Sequence, residues 1–109
     1  MIPYSRQSVT NKDIHAVSKA LSSRLITQGN LVKKFESKTA QIVGAKFAIA
    51  MNSATSALHV ACLALDLKKG DNLWTCSNTF VASANCGRFC GANVDFVDID
   101  PLTWNISVS

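Results

Sequence analysis

The sequence predicts an α/β chain with a mostly parallel sheet flanked by helices. Three observations carry this expectation. From residue 47 onward, short apolar runs alternate with helical patterns in the order strand, helix, strand, helix, strand. The connections between them are short, which favours helical crossovers and parallel strands. Two amphipathic helices come before the first apolar run and read as an N-terminal arm.

Residues 11–23 form the first helical pattern. Ile14, Val17, Ala20 and Leu21 recur at helical spacing, while Lys12, Asp13, Ser18 and Lys19 face away. Thr10 or Asn11 is placed to cap its start. Leu25-Ile-Thr-Gln-Gly29 breaks the pattern. A second helix is expected from about Asn30 to Val43, with Leu31, Phe35, Thr39 and Ile42 along one side. Gly44 ends it, since a left-handed residue commonly closes a helix. Residues 47–51 read as a short strand, and 54–66 as a helix that turns Leu58, Ala61, Cys62 and Leu65 inward. Lys69-Gly70-Asp71 is a turn. Leu73–Cys76 is a strand. Phe80 to about Cys90 is a helix that contains Gly87 and breaks at Gly91. Val94–Ile99 is the third strand, closed by Asp100-Pro101. Three strands make a thin sheet with open edges, so the chain reads as a fragment of a larger domain or a truncated reading frame.

Composition narrows the function classes. A hydrophobic content of 48% over 109 residues belongs to a folding chain rather than a disordered one. No apolar run is long enough for a membrane helix, and Met1-Ile-Pro-Tyr-Ser-Arg6 lacks the layout of a secretory signal, so a cytoplasmic location is expected. The net charge of +4 is scattered, with doublets only at Lys33-Lys34 and Lys68-Lys69. Nucleic-acid binding would call for a continuous basic stripe with interleaved aromatics, which is absent from the sequence; anionic small molecules remain compatible with the charge. Cys62, Cys76, Cys86 and Cys90 lie in apolar segments without a CxxC spacing. Cys86 and Cys90 share a helix face, but two ligands without a nearby histidine do not make a metal site, so buried reduced thiols are expected.

The most informative stretch is Asn52-Ser-Ala-Thr-Ser-Ala-Leu58. It lies between an apolar run and a helical one, so small residues form the turn at a helix start. The free N–H groups of a first helical turn and the helix dipole favour an anion such as a phosphate. Small side chains let the backbone approach closely, and the hydroxyls of Thr55 and Ser56 can donate. On this stretch alone an ordinary Ser/Thr cap between strand and helix is the favoured reading. Ser77-Asn-Thr-Phe80 also falls at the carboxyl end of an expected strand, where such sheets collect ligands.

Taken together, Ile26-Thr-Gln-Gly29 with Phe35-Glu36, Asn52–Leu58, Thr79-Phe-Val-Ala-Ser-Ala-Asn85, Gly91-Ala92, Phe96-Val-Asp-Ile-Asp100 and Thr103-Trp-Asn105 resemble the DegT/DnrJ/EryC1/StrS sugar aminotransferases in order and spacing along nearly the whole chain. The resemblance implies the N-terminal part of the large domain of a pyridoxal-phosphate enzyme of aminotransferase fold type I, with residues 1–30 as an arm and substrate loop and residues 31–109 as a partial cofactor-binding domain. It implies pyridoxal 5'-phosphate as cofactor, a homodimer when intact, and neither nucleic acid nor membrane as partner. The opening Ile2-Pro-Tyr-Ser-Arg-Gln7 and Asn52–Leu58 are most similar to the branch that serves pseudaminic acid biosynthesis. That branch moves an amino group from glutamate to the C4 keto group of a UDP-linked 4-keto-6-deoxy-N-acetylhexosamine.

By the same resemblance, Thr55 and Ser56 match residues that hold the cofactor phosphate, and Phe80 matches the aromatic that stacks on the pyridine ring. Core packing at a helix start is the plain alternative for Phe80. Tyr4, Arg24, Leu25, Ile26 and Thr27 match positions that touch the nucleotide sugar, where Arg24 can meet a diphosphate and Thr27 can donate a hydrogen bond. A polar loop between two helices is the plain alternative. His15 and His59 match no catalytic position. The family's Schiff-base lysine and the acidic partner of the pyridine nitrogen lie beyond residue 109, so no catalytic residue is assigned and residues 1–109 alone are expected to be inactive. Three rivals remain open or weakened: a non-catalytic remnant or binding module, a family dehydratase with histidine in place of the lysine, and a nucleotide-binding Rossmann unit, which the lack of GxGxxG disfavours.

Overall fold

The computed structural model describes residues 2–3 and 5–107. The chain forms two compact units, Met1–Ala50 and Met51–Ser109.

In the first unit, α1 spans Asn11–Leu21 and starts at a complete capping box. The Asp13 amide donates to the Thr10 hydroxyl at 3.4 Å, and the Thr10 amide donates to the Asp13 carboxylate at 2.7 Å. Thr10, not Asn11, is therefore the cap. The Thr10 hydroxyl and then its amide hold the Asp13 carboxyl below its ordinary range. α2 spans Asn30–Val43, as its pattern predicts, and Gly44 closes it in the left-handed region at φ 67°. Residues 47–50 belong to no strand, which corrects the expected strand at 47–51. Ala48 and Ala50 are half-buried, and Phe47 and Ile49 are exposed, so the two-residue alternation of extended chain is there. The Ala50 amide goes instead to the Glu36 side chain on α2.

In the second unit, α3 spans Ala54–Ala64, β1 Asn72–Cys76, α4 Ala82–Phe89 and β2 Asn93–Val97. β1 and β2 pair in parallel, in register from Asn72 opposite Asn93 to Cys76 opposite Val97. α4 is the crossover between them and packs on the pair through Gly87. A Cβ there would stand 3.0 Å from Leu73 Cβ and 3.2 Å from Val94 Cγ2. α3 packs on α4, with the His59 and Phe89 rings edge-on at 5.3 Å. Beyond β2, Ile99 and Ile106 form a single antiparallel bridge around a turn.

The core is made of small residues. Cys62, Ala82, Ala84, Cys86 and Ala92 are buried in the second unit, and Ala40 in the first. Of the four residues expected to face inward on a 54–66 helix, only Cys62 is buried; Leu58, Ala61 and Leu65, which caps α3, are exposed. The apolar sides of α1 and α2 are likewise open at Ile14, Val17, Leu21, Leu31, Phe35 and Ile42. Helical periodicity is correct there, but no described residue covers those faces.

Candidate functional site

The Asn52–Leu58 turn resolves into a capped helix start. Ser53 is the cap, with extended backbone (φ −158°, ψ 158°), and its hydroxyl oxygen accepts from the Ser56 amide at 3.1 Å. The Ser53 hydroxyl donates in turn to Ser56 Oγ, also at 3.1 Å. This leaves the proton of the Ser56 hydroxyl free to point elsewhere. Among the described residues, the amides of Ala54 and Thr55 and the Thr55 hydroxyl have no acceptor. Thr55 and Ser56 are half-buried, which limits their competition with bulk water. No acidic residue occupies the first turn of α3. The local donor set is therefore two backbone amides and two hydroxyls at the positive end of a helix dipole. It fits a phosphate dianion in both sign and hydrogen-bond polarity.

Phe80 lies in the turn between the carboxyl end of β1 and α4. It precedes the helix rather than starting it, which corrects the expected helix start at residue 80. Its side chain is 74% exposed, so core packing within the described residues does not account for it. The turn is held below it by the Thr79 and Ser83 hydroxyls at 2.9 Å and by the Phe80 carbonyl, which accepts from the Ser83 amide at 3.0 Å. An exposed aromatic face on a tied turn can stack on a flat conjugated ring. Thr55, Ser56 and Phe80 all belong to the second compact unit.

Arg24, Leu25, Ile26 and Thr27 lie in the first unit, on the loop between α1 and α2, and all four are exposed. Among the described residues the Arg24 guanidinium has no carboxylate partner, which leaves it available to an anion. Tyr4 lies outside the described residues. Two features of this loop escape a reading by residue type. Gln28 adopts a left-handed backbone at φ 52°, and Gly29 is buried against the Leu25 carbonyl. The Gly29 contact has no sequence signal beyond a glycine before a helix.

The thiols are not part of this arrangement. Cys62 and Cys86 are buried between α3 and α4. Burial, then Cys86 and Cys90 beside it, pushes the Cys62 thiol up to about 11, which makes it a poor nucleophile or ligand at neutral pH. Among the described residues no group of three or more His, Cys, Asp or Glu side chains is placed to hold a metal ion. No helix among them is long and apolar enough to cross a membrane.

Comparison with known proteins shows the family of the chain. The family model of the DegT/DnrJ/EryC1/StrS aminotransferase family matches residues 7–109. The UDP-4-amino-4,6-dideoxy-N-acetyl-beta-L-altrosamine transaminase of Campylobacter jejuni is 44% identical over 99 residues, 91% of this chain and 26% of the relative. The GDP-perosamine synthase of Escherichia coli O157:H7 is 38% identical over 109 residues, 99% of this chain and 30% of the relative. A sugar-aminotransferase-like chain of Streptococcus pneumoniae, solved in a pyridoxal phosphate form, superposes with a TM-score of 0.90 at 29% identity, covering 97% of this chain and 27% of its own length. The chain thus spans between about a quarter and a third of the length of the curated relatives it matches.

Proposed function

Because this chain belongs to the DegT/DnrJ/EryC1/StrS aminotransferase family, we propose that it is the cofactor-cradling part of a pyridoxal-phosphate nucleotide-sugar aminotransferase. The observation that carries this reading is the unpaired donor set at the α3 N-terminus, on a chain whose relatives include nucleotide-sugar enzymes. Bound there, pyridoxal phosphate supplies an electron sink and a carrier for the amino group. The amides of Ala54 and Thr55 and the hydroxyls of Thr55 and Ser56 hold its phosphate. Phe80 would stack on its ring. Arg24 meets the substrate diphosphate, and Thr27 donates a hydroxyl to it. Leu25 and Ile26 line the sugar's path with Tyr4. In this division by role, residues 1–30 read the sugar and residues 31–109 hold the cofactor.

The finer reading is that glutamate gives the amino group and a UDP-linked 4-keto-6-deoxy-N-acetylhexosamine takes it at C4, in pseudaminic acid or related surface-glycan synthesis. Its support is the higher identity to the altrosamine transaminase than to the perosamine synthase, and the opening residues 2–7. A homodimer in the cytoplasm, with no nucleic acid or membrane partner, completes the proposal.

The test is a pair of titrations on the intact protein. Pyridoxal phosphate is expected to bind with a visible absorbance change, and inorganic phosphate to compete with it. Glutamate-dependent amination is then assayed with UDP- and GDP-linked 4-keto sugars. Cofactor binding that phosphate does not weaken sinks the α3 cradle, and turnover of the GDP sugar alone sinks the finer substrate reading.

A further inference from the structure

We infer that Gly29 and Ser23 are positioning residues that fix the loop Arg24–Thr27 by gripping one atom between them, the carbonyl oxygen of Leu25. The inference rests on the proposed role of that loop in binding the nucleotide sugar. The Ser23 hydroxyl donates to the Leu25 carbonyl at 3.1 Å. Gly29 lies close to the same oxygen, and a Cβ on Gly29 would stand 2.8 Å from it and 3.5 Å from Leu25 Cβ. No real Cβ tolerates the first distance, and the atom it meets is backbone. The oxygen can move only if the Leu25–Ile26 peptide plane turns, and that rotation carries the Ile26 amide with it.

The far end of the loop is anchored as well. Gly29 is the cap residue of α2, and its carbonyl accepts from the Val32 amide at 3.2 Å. Gln28 is held in the left-handed region at φ 52°, a conformation that a non-glycine residue keeps only where its surroundings impose it. Gly29 is buried, whereas Leu25 and Ile26 are 63% and 70% exposed. The loop is therefore fixed through one carbonyl while its side chains stay exposed. Its own packing does not hold it. The direction of the Arg24 guanidinium and the Thr27 hydroxyl then depends on the grip of Ser23 and Gly29, although neither residue touches the sugar.

The test separates the two half-reactions of the intact protein, amine loading from the donor and amine transfer to the nucleotide sugar. Gly29→Ala is expected to raise the KM for the sugar by about tenfold or more, as a misplaced substrate contact does. The donor KM, the donor half-reaction rate and the cofactor affinity are expected to stay at parent values. Ser23→Ala is expected to raise the sugar KM about threefold, the loss of one neutral hydrogen bond, and Ser23→Thr to restore it. The serine pair decides the matter even if Gly29→Ala does not fold. Equal losses in both half-reactions, or an unchanged sugar KM in Ser23→Ala, overturn the positioning role. A parent protein that aminates no nucleotide sugar overturns the proposed function, and the role of the loop with it.

Discussion

The Glu36 carboxylate on α2 accepts the Ala50 amide at 2.9 Å across fourteen residues of chain. That bond does for residues 47–50 what a neighbouring strand would do: it takes a backbone donor that would otherwise lose its partner on burial. Glu36 is half-buried, so water competes only in part. Replacing it with leucine removes the acceptor and is expected to cost about 1.5–3 kcal/mol, the range for a hydrogen bond to a charged group. Glu36→Gln keeps an oxygen at the same place and is expected to recover most of that loss. Denaturant unfolding of the two variants checks this; equal losses would mean that the charge, and not the acceptor, matters.

The α3 start gives the second prediction. Thr55→Val keeps the shape of the side chain and deletes its hydroxyl, and Ser56→Ala does the same for serine. If each hydroxyl donates to a phosphate, each change is expected to weaken pyridoxal phosphate binding by roughly 10–100-fold, the worth of a charge-assisted bond. Pyridoxal without its phosphate is expected to bind parent and variants alike. Equilibrium titration with both compounds reads the difference, and a matching loss for pyridoxal would assign the hydroxyls to folding of the turn instead.

How much of this was legible in the sequence depends on whether the cause is local. The α2 boundaries and its Gly44 end follow from a few neighbouring residues, and the sequence pattern places both; it leaves the α1 cap between Thr10 and Asn11, and the capping box with Asp13 decides for Thr10. Both strands of the parallel pair also fall where the apolar runs predict them, within a residue or two. The expected strand at 47–51 fails for a non-local reason. An apolar run shows that the chain is extended but not what takes its amides, and at Ala50 the partner is a side chain on α2. Leu58 and Leu65 fail similarly, because periodicity selects a helix face without saying what covers it. The grip of Gly29 on the Leu25 carbonyl is a distance and has no counterpart in residue types.

Asp100 organises the turn after β2. Its carboxylate accepts the Thr103 and Leu102 amides, both at 2.8 Å, and the Thr103 hydroxyl at 3.2 Å. The Thr103 amide first, and then that of Leu102, hold its carboxyl below the ordinary 3.8. A carboxyl depressed on folding stabilises the turn at all pH values above the unfolded value, and the contribution is lost as pH falls through the lower folded value. The Leu102 and Thr103 amide proton shifts are therefore expected to stay flat from neutral pH to about 4 and to titrate below it. Asp100→Asn is expected to abolish the titration. A midpoint at or above 3.8 in the NMR pH series would contradict the assignment.

Gly87 sets two opposed effects against each other. In a helix interior Gly→Ala is expected to gain about 0.5–1 kcal/mol from backbone entropy. Here the new methyl would lie 3.0 Å from Leu73 Cβ and 3.2 Å from both Leu73 Cδ1 and Val94 Cγ2. Leu73 and Val94 are register partners on β1 and β2, so neither can retreat without moving the strand pair. Overpacking of this kind costs about 1–3 kcal/mol, so crowding outweighs propensity and Gly87→Ala is expected to destabilise the protein by up to about 2 kcal/mol. The cause is separable. Leu73→Ala removes Cδ1 and opens room on one side, so the double variant is expected to lose less than the sum of the two single losses. Denaturant unfolding of the four proteins in that cycle measures the coupling. Additive losses would mean that Leu73 Cδ1 contributes no crowding, and a gain in Gly87→Ala alone would mean that α4 stands further from the strand pair than these distances place it.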